Sequence, residues 1–352
     1  MKAITVKWRY NVYLIGLLIV TTLYTSSCHN SRQSVERITQ NEMQCEMAVQ
    51  MTWGEGISDL GYVSGNESSI RILIPPRFQI DSTGSIYVTD PQNERILEFS
   101  TTGDFIRSFT VPVSKDVEFI EDVAIGGNRI AVATTDHIYI FDQEGKLLQT
   151  PKWPANVGDY GLCSEDAAGR RVQVDEKGNI YACGVGGYER GGTIVQFDDS
   201  GYSRIFYAGA FDHVVIGRDG LVYITQLGNT ETATLPPNNR VLQFDLQGNQ
   251  LGEITISGRD LADAGLAYPG LLIAVDGKGN LYGDVVNAFE GGAIVPFNAL
   301  TQISKEGKIL RIVEHDKFIR PVTDIVDKEG NLYVWNMGEV PFEPVEIWRC
   351  HF

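Results

Sequence analysis

The sequence predicts an all-β chain folded as a six-bladed β-propeller of four-stranded antiparallel blades, and three observations carry that prediction. A phrase of the form apolar, x, apolar, Asp, x, x, Gly, x, apolar, Tyr, apolar returns along the chain. A second phrase, a strand ending in an aromatic followed by a turn with Gly, comes after it in most copies. Nothing between them has a helical period, so each unit reads as short alternating strands joined by tight turns. Four-stranded units repeating every ~40–50 residues mark a propeller, and six of them close a ring.

The first phrase appears as FQIDSTGSIYV from Phe78, VQVDEKGNIYA from Val172, IAVDGKGNLYG from Ile273 and IVDKEGNLYV from Ile325. Looser copies are VAIGGNRIAV from Val123 and VVIGRDGLVYI from Val214. Aligned on Asp81, Gly126, Asp175, Gly217, Asp276 and Asp327, they lie 45, 49, 42, 59 and 51 residues apart. The second phrase reads RILEFSTTG, HIYIFDQEG, TIVQFDDSG, RVLQFDLQG and, more faintly, LTQISKEG. The sixth unit runs only through a third strand near Val345 to Cys350, while CEMAVQMTWG at Cys45 to Gly54 has the alternation of an outer strand. Pairing that N-terminal strand with the last blade would zip the ring. The propeller is therefore expected over 45–352.

Composition agrees with a large folded domain. The 352 residues are 43% hydrophobic and 21% charged, with 37 Gly and 13 Pro, and 15 Tyr, 15 Phe and 5 Trp exclude a disordered chain. The 29 basic and 45 acidic residues leave a formal charge of −16. Such a balance carries no footprint for phosphate backbones, which argues against nucleic acid, and none for anionic lipid headgroups.

The first residues read as an address. Lys2, Lys7 and Arg9 form a basic n-region without an acid, and Val12 to Leu23 is an apolar run of signal-peptide length, short for a membrane span. Thr25-Ser26-Ser27-Cys28 resembles the lipobox of bacterial lipoproteins, with Tyr24 and Thr25 fitting its strictest form poorly. That resemblance implies a signal peptide at 1–27, cleavage before Cys28 and lipidation of the Cys28 thiol. Losing three basic residues would take the charge from −16 to −19. The polar stretch 28–44 reads as a tether. The repeat phrase resembles the NHL family, and the chain from Cys45 onward is similar to the NHL-like or TolB-like six-bladed propeller lipoproteins of Gram-negative bacteria. The resemblance implies a lipid-anchored place in the cell envelope, at the outer membrane, as a monomer or as part of an envelope complex. It is specific for architecture and nearly silent about activity.

Local signals for chemistry are weak. The repeated Asp residues sit on turns where a short carboxylate bonds neighbouring amides, and the tyrosines at 87, 181, 223, 282 and 333 share one slot, which argues for packing between blades. The histidines at 29, 137, 213, 315 and 351 lack zinc-ligand spacing, no Gly-x-Ser-x-Gly elbow is present, and no catalytic residue is assigned. With Cys28 set aside, Cys45, Cys163, Cys183 and Cys350 allow three pairings. The zipped blade sets Cys45 beside Cys350, and Cys163 with Cys183 would then be a second bridge or two free thiols.

The binding expectation is positional. In a propeller of this strand order, the residue at the start of each innermost strand stands at the mouth of the central channel. Four positions before the aligned Asp or Gly, those residues are Arg77, Asp122, Arg171, His213, Leu272 and Thr323. Arg77, Asp122, Arg171, His213 and Thr323 are therefore the candidate ligand-binding residues, and two arginines point to an anionic or carboxylate-bearing ligand. Long insertions on the same face, CGVGGYERGG, QLGNTETATLPPNN, DVVNAFEGGAIVPFNA and NMGEVPFEP, add Tyr188, Phe289 and Phe342, with Glu189, Arg190 and Glu290, as candidate lining. The first functional expectation is a recognition module for a small ligand, glycan or peptide, without a cofactor. The alternative is an enzyme resembling the lyases and lactonases built on six-bladed propellers, with calcium held by Glu121, Asp122 and Asp324, although two arginines oppose a cation there. A third is a structural partner of an envelope complex.

Overall fold

The computed structural model describes residues 35–39, 44–62, 76–114, 118–153, 171–184, 192–198, 201–209, 213–226, 238–266, 271–290, 293–314, 326–336 and 343–351. The chain divides into two units, Met1–Glu36 and Arg37–Phe352, and the second is the propeller. The expected signal peptide and Cys28 lie outside the described residues. No helix among the described residues is long and apolar enough to cross a membrane.

Strands β1 (Glu36–Thr39) and β2 (Gln44–Met51) precede the first blade. Blade one is β3 (Phe78–Ile80), β4 (Ile86–Asp90), β5 (Arg95–Phe99) and β6 (Phe105–Thr110). Blade two is β7 (Ile120–Gly126), β8 (Arg129–Thr134), β9 (Ile138–Asp142) and β10 (Leu147–Gln149). Blade three is β11 (Arg171–Val174), β12 (Ile180–Gly184), β13 (Gly192–Asp198) and β14 (Gly201–Gly209). Blade four is β15 (His213–Ile216), β16 (Val222–Gln226), β17 (Asn239–Phe244) and β18 (Gln250–Ile256). The helix α1 (Gly258–Asp263), capped by the Ser257 side chain, leads to blade five. That blade is β19 (Leu271–Val275), β20 (Leu281–Glu290), β21 (Ala293–Ile303) and β22 (Ile309–Glu314). Its outer edge carries β1, inside the segment read as a tether.

Blade six closes the ring as the sequence leads one to expect. Strand β23 (Leu332–Asn336) pairs with β24 (Val345–His351), and β24 pairs antiparallel with β2, giving the order β2-β24-β23. An isolated bridge joins Val326 to Leu332 where the innermost strand is expected, and residues 315–325 lie outside the described residues. In this register Cys45 faces Cys350, and the two form a disulfide across 305 positions.

Two expectations are corrected. The segment DVVNAFEGGAIVPFNA is not an irregular loop: β20 runs on to Glu290 and β21 begins at Ala293, extending a hairpin beyond the blade. A helix was not expected, yet α1 forms. Its six residues are under two turns, too short to show a period.

The repeat phrase works through its turn. Asp175 Oδ1 accepts the amides of Lys177 and Asn179, both at 2.9 Å, and Oδ2 accepts the Asn179 amide group at 2.8 Å and the Tyr181 hydroxyl at 3.2 Å. Asp276 repeats this with Lys278, Asn280 and Tyr282. The slot tyrosine thus ties the second strand to the preceding turn while its ring is buried between sheets. The core lies between blades rather than within them. One cluster joins blades one and two through Tyr87, Ile96, Val123 and Phe141, another joins blades two and three through Ala131, Ile140, Val172 and Phe197. At the closure, Val49, Met51 and Leu60 pack with Phe78, Trp335, Val345 and Ile347.

Candidate functional site: the channel mouth

Four of the five predicted mouth residues are described and converge; Thr323 lies outside the described residues. Arg77 directly precedes β3, Asp122 is in β7 after a register shift next to Ile120, Arg171 opens β11 and His213 opens β15. Arg77, Asp122 and His213 are buried, at 6%, 4% and 8% exposure. The backbone amide of Arg77 donates to Thr89 Oγ1 at 2.7 Å, and the Thr89 amide donates back to the Arg77 carbonyl at 2.8 Å. That exchange fixes where the innermost strand of blade one begins.

Mouth side chains reach toward the following blade. Asp122 Oδ2 accepts the Val172 amide of blade three at 3.1 Å. The His213 ring bonds the Leu272 backbone of blade five. One turn deeper, Gln173 Nε2 donates to the Val214 carbonyl at 3.3 Å and its Oε1 accepts the Ile216 amide, stitching blade three to blade four.

Burial pushes the Asp122 carboxyl upward, against the pull of Arg171, Arg77 and the amides of Val172 and Val123. Burial, then Arg171, lowers His213; its bond to Leu272 opposes them, Arg77 adds to them, and the result is about 3. The imidazole is therefore neutral at physiological pH. Two guanidinium ions facing one carboxyl leave these four residues positively charged. Among the described residues, Arg171 Nε and Nη1 and His213 Nδ1 are buried without a hydrogen-bond partner. Buried polar groups left in that state are costly, and a bound ligand would relieve them.

Further along the innermost strands, Gln79, Gln173, Ile216, Ala274 and Val326 line a cavity of about 30 Å³, room for roughly two waters. Residues 185–191, 227–237 and 337–342, with Tyr188, Glu189, Arg190 and Phe342 among them, lie outside the described residues. Phe289 and Glu290 are in β20 rather than in a loop. At the other end of these strands stands Arg218, which sequence reasoning passed over and which lines the same cavity. Its backbone amide donates to the Val275 carbonyl at 3.0 Å, Nη2 to the Ile80 carbonyl at 2.6 Å and Nε to the Val326 carbonyl at 3.3 Å. One side chain of blade four thereby serves the ends of the innermost strands of blades one and six. Its signal was the missing Asp at Gly217, beside which it sits.

A second polar cluster lies in blade two. Glu118, 3% exposed, accepts from the Ser114 amide at 3.1 Å, the Tyr139 hydroxyl at 3.0 Å, His137 Nδ1 at 2.9 Å and the Thr134 hydroxyl. Burial raises its pKa, but bonds from Thr134, His137, Ser114 and Tyr139 outweigh burial and hold it below the ordinary value. Burial, with Glu118, pushes the Tyr139 hydroxyl up to about 12. This fully bonded carboxylate pins the Thr134–His137 turn. Among the described residues no three His, Cys, Asp or Glu side chains group as metal ligands, and Asp324 of the calcium expectation is not among them. Cys183 stands opposite Arg171 on β12, and Cys163 lies outside the described residues.

Strand order and ring closure define a six-bladed β-propeller. No protein family and no curated protein matches the chain. Solved structures do. The chain is similar to a calcium-binding protein, regucalcin, from Agrobacterium tumefaciens (13% identity, 86% of this chain and 96% of that one, TM-score 0.46). It is similar to virginiamycin B lyase from Staphylococcus aureus (11%, 88% and 100%, TM-score 0.44) and a gluconolactonase from Xanthomonas campestris (12%, 78% and 86%, TM-score 0.48). At identities and TM-scores this low, the likenesses carry no argument about ligand or chemistry, and the fold rests on the strand order itself.

Proposed function

We propose that the chain is an NHL-like or TolB-like envelope lipoprotein, anchored through Cys28 at the outer membrane of a Gram-negative bacterium, and that its propeller is a recognition module holding a small anionic ligand at the channel mouth. The observation that carries the binding role is the convergence of Arg77 and Arg171 around Asp122, with two buried Arg171 donors unbonded among the described residues. Guanidinium groups offer a planar fork of donors suited to carboxylates, and a low-dielectric wall strengthens the attraction. The anchor is supported by the basic n-region, the apolar run and the small residues before Cys28. The Cys45–Cys350 disulfide suits an exported chain, since such bonds persist in oxidising compartments.

Calorimetric titration with small monocarboxylates tests the binding role. The double variant Arg77→Ala/Arg171→Ala should lose the binding seen in wild type while its melting temperature stays nearly unchanged. Unfolding of the double variant, or binding equal to wild type, would make the ring a structural plug. Metabolic labelling with a fatty-acid probe tests the anchor: wild type should be labelled and membrane-bound and Cys28→Ala unlabelled, and an unlabelled wild type would end the idea.

A further inference from the structure

The hydrogen-bonding capacity left at the mouth is of two kinds. Arg171 presents donors only, Nε–H and Nη1–H, buried and without a partner among the described residues. His213 presents the reverse. Its ring donates to the Leu272 backbone carbonyl, and its other nitrogen, Nδ1, is buried without a partner. A neutral imidazole that donates through one nitrogen keeps a lone pair on the other, so Nδ1 is an acceptor. Thr225, directly opposite His213 in the register of β15 with β16, has a buried hydroxyl that also lacks a partner. Donors on β11 and an acceptor on β15, adjoining innermost strands, thus face one mouth.

We infer that the mouth selects a small hydroxy carboxylate, whose carboxylate accepts from Arg171 and whose neutral hydroxyl donates to His213 Nδ1. The inference rests on the anion-binding reading and narrows it. The arginine side alone would take any carboxylate, whereas a buried acceptor at His213 penalises one that brings no donor. An ammonium could also donate to Nδ1, but Arg77 and Arg171 repel a second cation, which disfavours amino acids. Glucose-like neutral polyols satisfy the acceptor and leave the Arg171 donors unpaired.

Three probes of equal carbon count separate the parts: glycerate carries both groups, propionate the carboxylate alone, glycerol the hydroxyls alone. Titrated into the full chain, glycerate should bind about tenfold more tightly than propionate, with glycerol not detectable. In protein labelled with ¹⁵N-histidine, glycerate should move the Nδ1 resonance of His213 and propionate should not. His213→Phe should erase the preference for glycerate over propionate. Equal binding of glycerate and propionate to wild type overturns the hydroxyl inference and leaves the anion site standing. Binding of neither carboxylate removes both, and glycerol binding as tightly as glycerate shows that the carboxylate is not read. Should His213→Phe fail to fold, the wild-type preference and the Nδ1 shift decide the matter alone.

Discussion

His213 is neutral because burial and two nearby guanidinium ions disfavour its charged form, and that has a consequence for acid stability. Its folded value, about 3, lies below the ordinary 6.5. The unfolded chain therefore takes up a proton first as the pH falls, so the stabilising contribution is complete above pH 6.5 and is lost progressively down to about 3. Glu118 has the same sign over a lower window: its folded value sits below 4.5, so its contribution disappears only as acid passes through that lower value. The expected outcome is that urea midpoints of wild type decline between pH 6.5 and 4.5, whereas His213→Gln is nearly flat there. A parallel decline in both proteins would refute the assignment. The placement of Arg77, Asp122, Arg171 and His213 within two residues of the start of an innermost strand was legible in the sequence, because it follows from a purely local count. The Glu118–His137 pair was not, since a carboxylate and an imidazole 19 positions apart carry no local signature.

At the scale of strands and turns, the repeat phrase was readable because its chemistry is short-range: an Asp, the amides two and four residues on, and a tyrosine six residues on. Blade two departs from it at Gly126 for a reason that needs the neighbouring blade. A Cβ there would stand 2.4 Å from the Val174 carbonyl oxygen and 2.5 Å from that of Asp175, both backbone atoms of blade three. Gly126→Ala should consequently cost on the order of 1–3 kcal/mol of stability in denaturant unfolding, through overpacking that a rigid backbone cannot relieve. A neutral result would show that the two turns can part freely. The extended hairpin of blade five was misread for a different reason. Gly291, Gly292 and Pro296 look like loop residues, yet Pro296 lies opposite Asn287 in a continuing ladder, where pairing overrides composition.

For the molecule as a whole, the N-terminal strand is the fastener. Strand β2 completes blade six, and its Ala48 carbonyl approaches Gly103 of blade one so closely that a Cβ at 103 would stand 2.2 Å from it. The Cys45–Cys350 bond closes 305 positions into one loop. Chain-entropy reasoning gives such a loop at most about 5–6 kcal/mol, model-dependent and commonly undershot. Cys45→Ala/Cys350→Ala should therefore melt at a temperature lower by on the order of 10 °C, still as a six-bladed ring; an unchanged midpoint would mean that strand pairing alone secures the closure. Arg218 does something the circumferential contacts do not. By spanning the floor from blade four to the carbonyls of blades one and six, it works as a chord drawn across a circle, resisting shear between distant sectors.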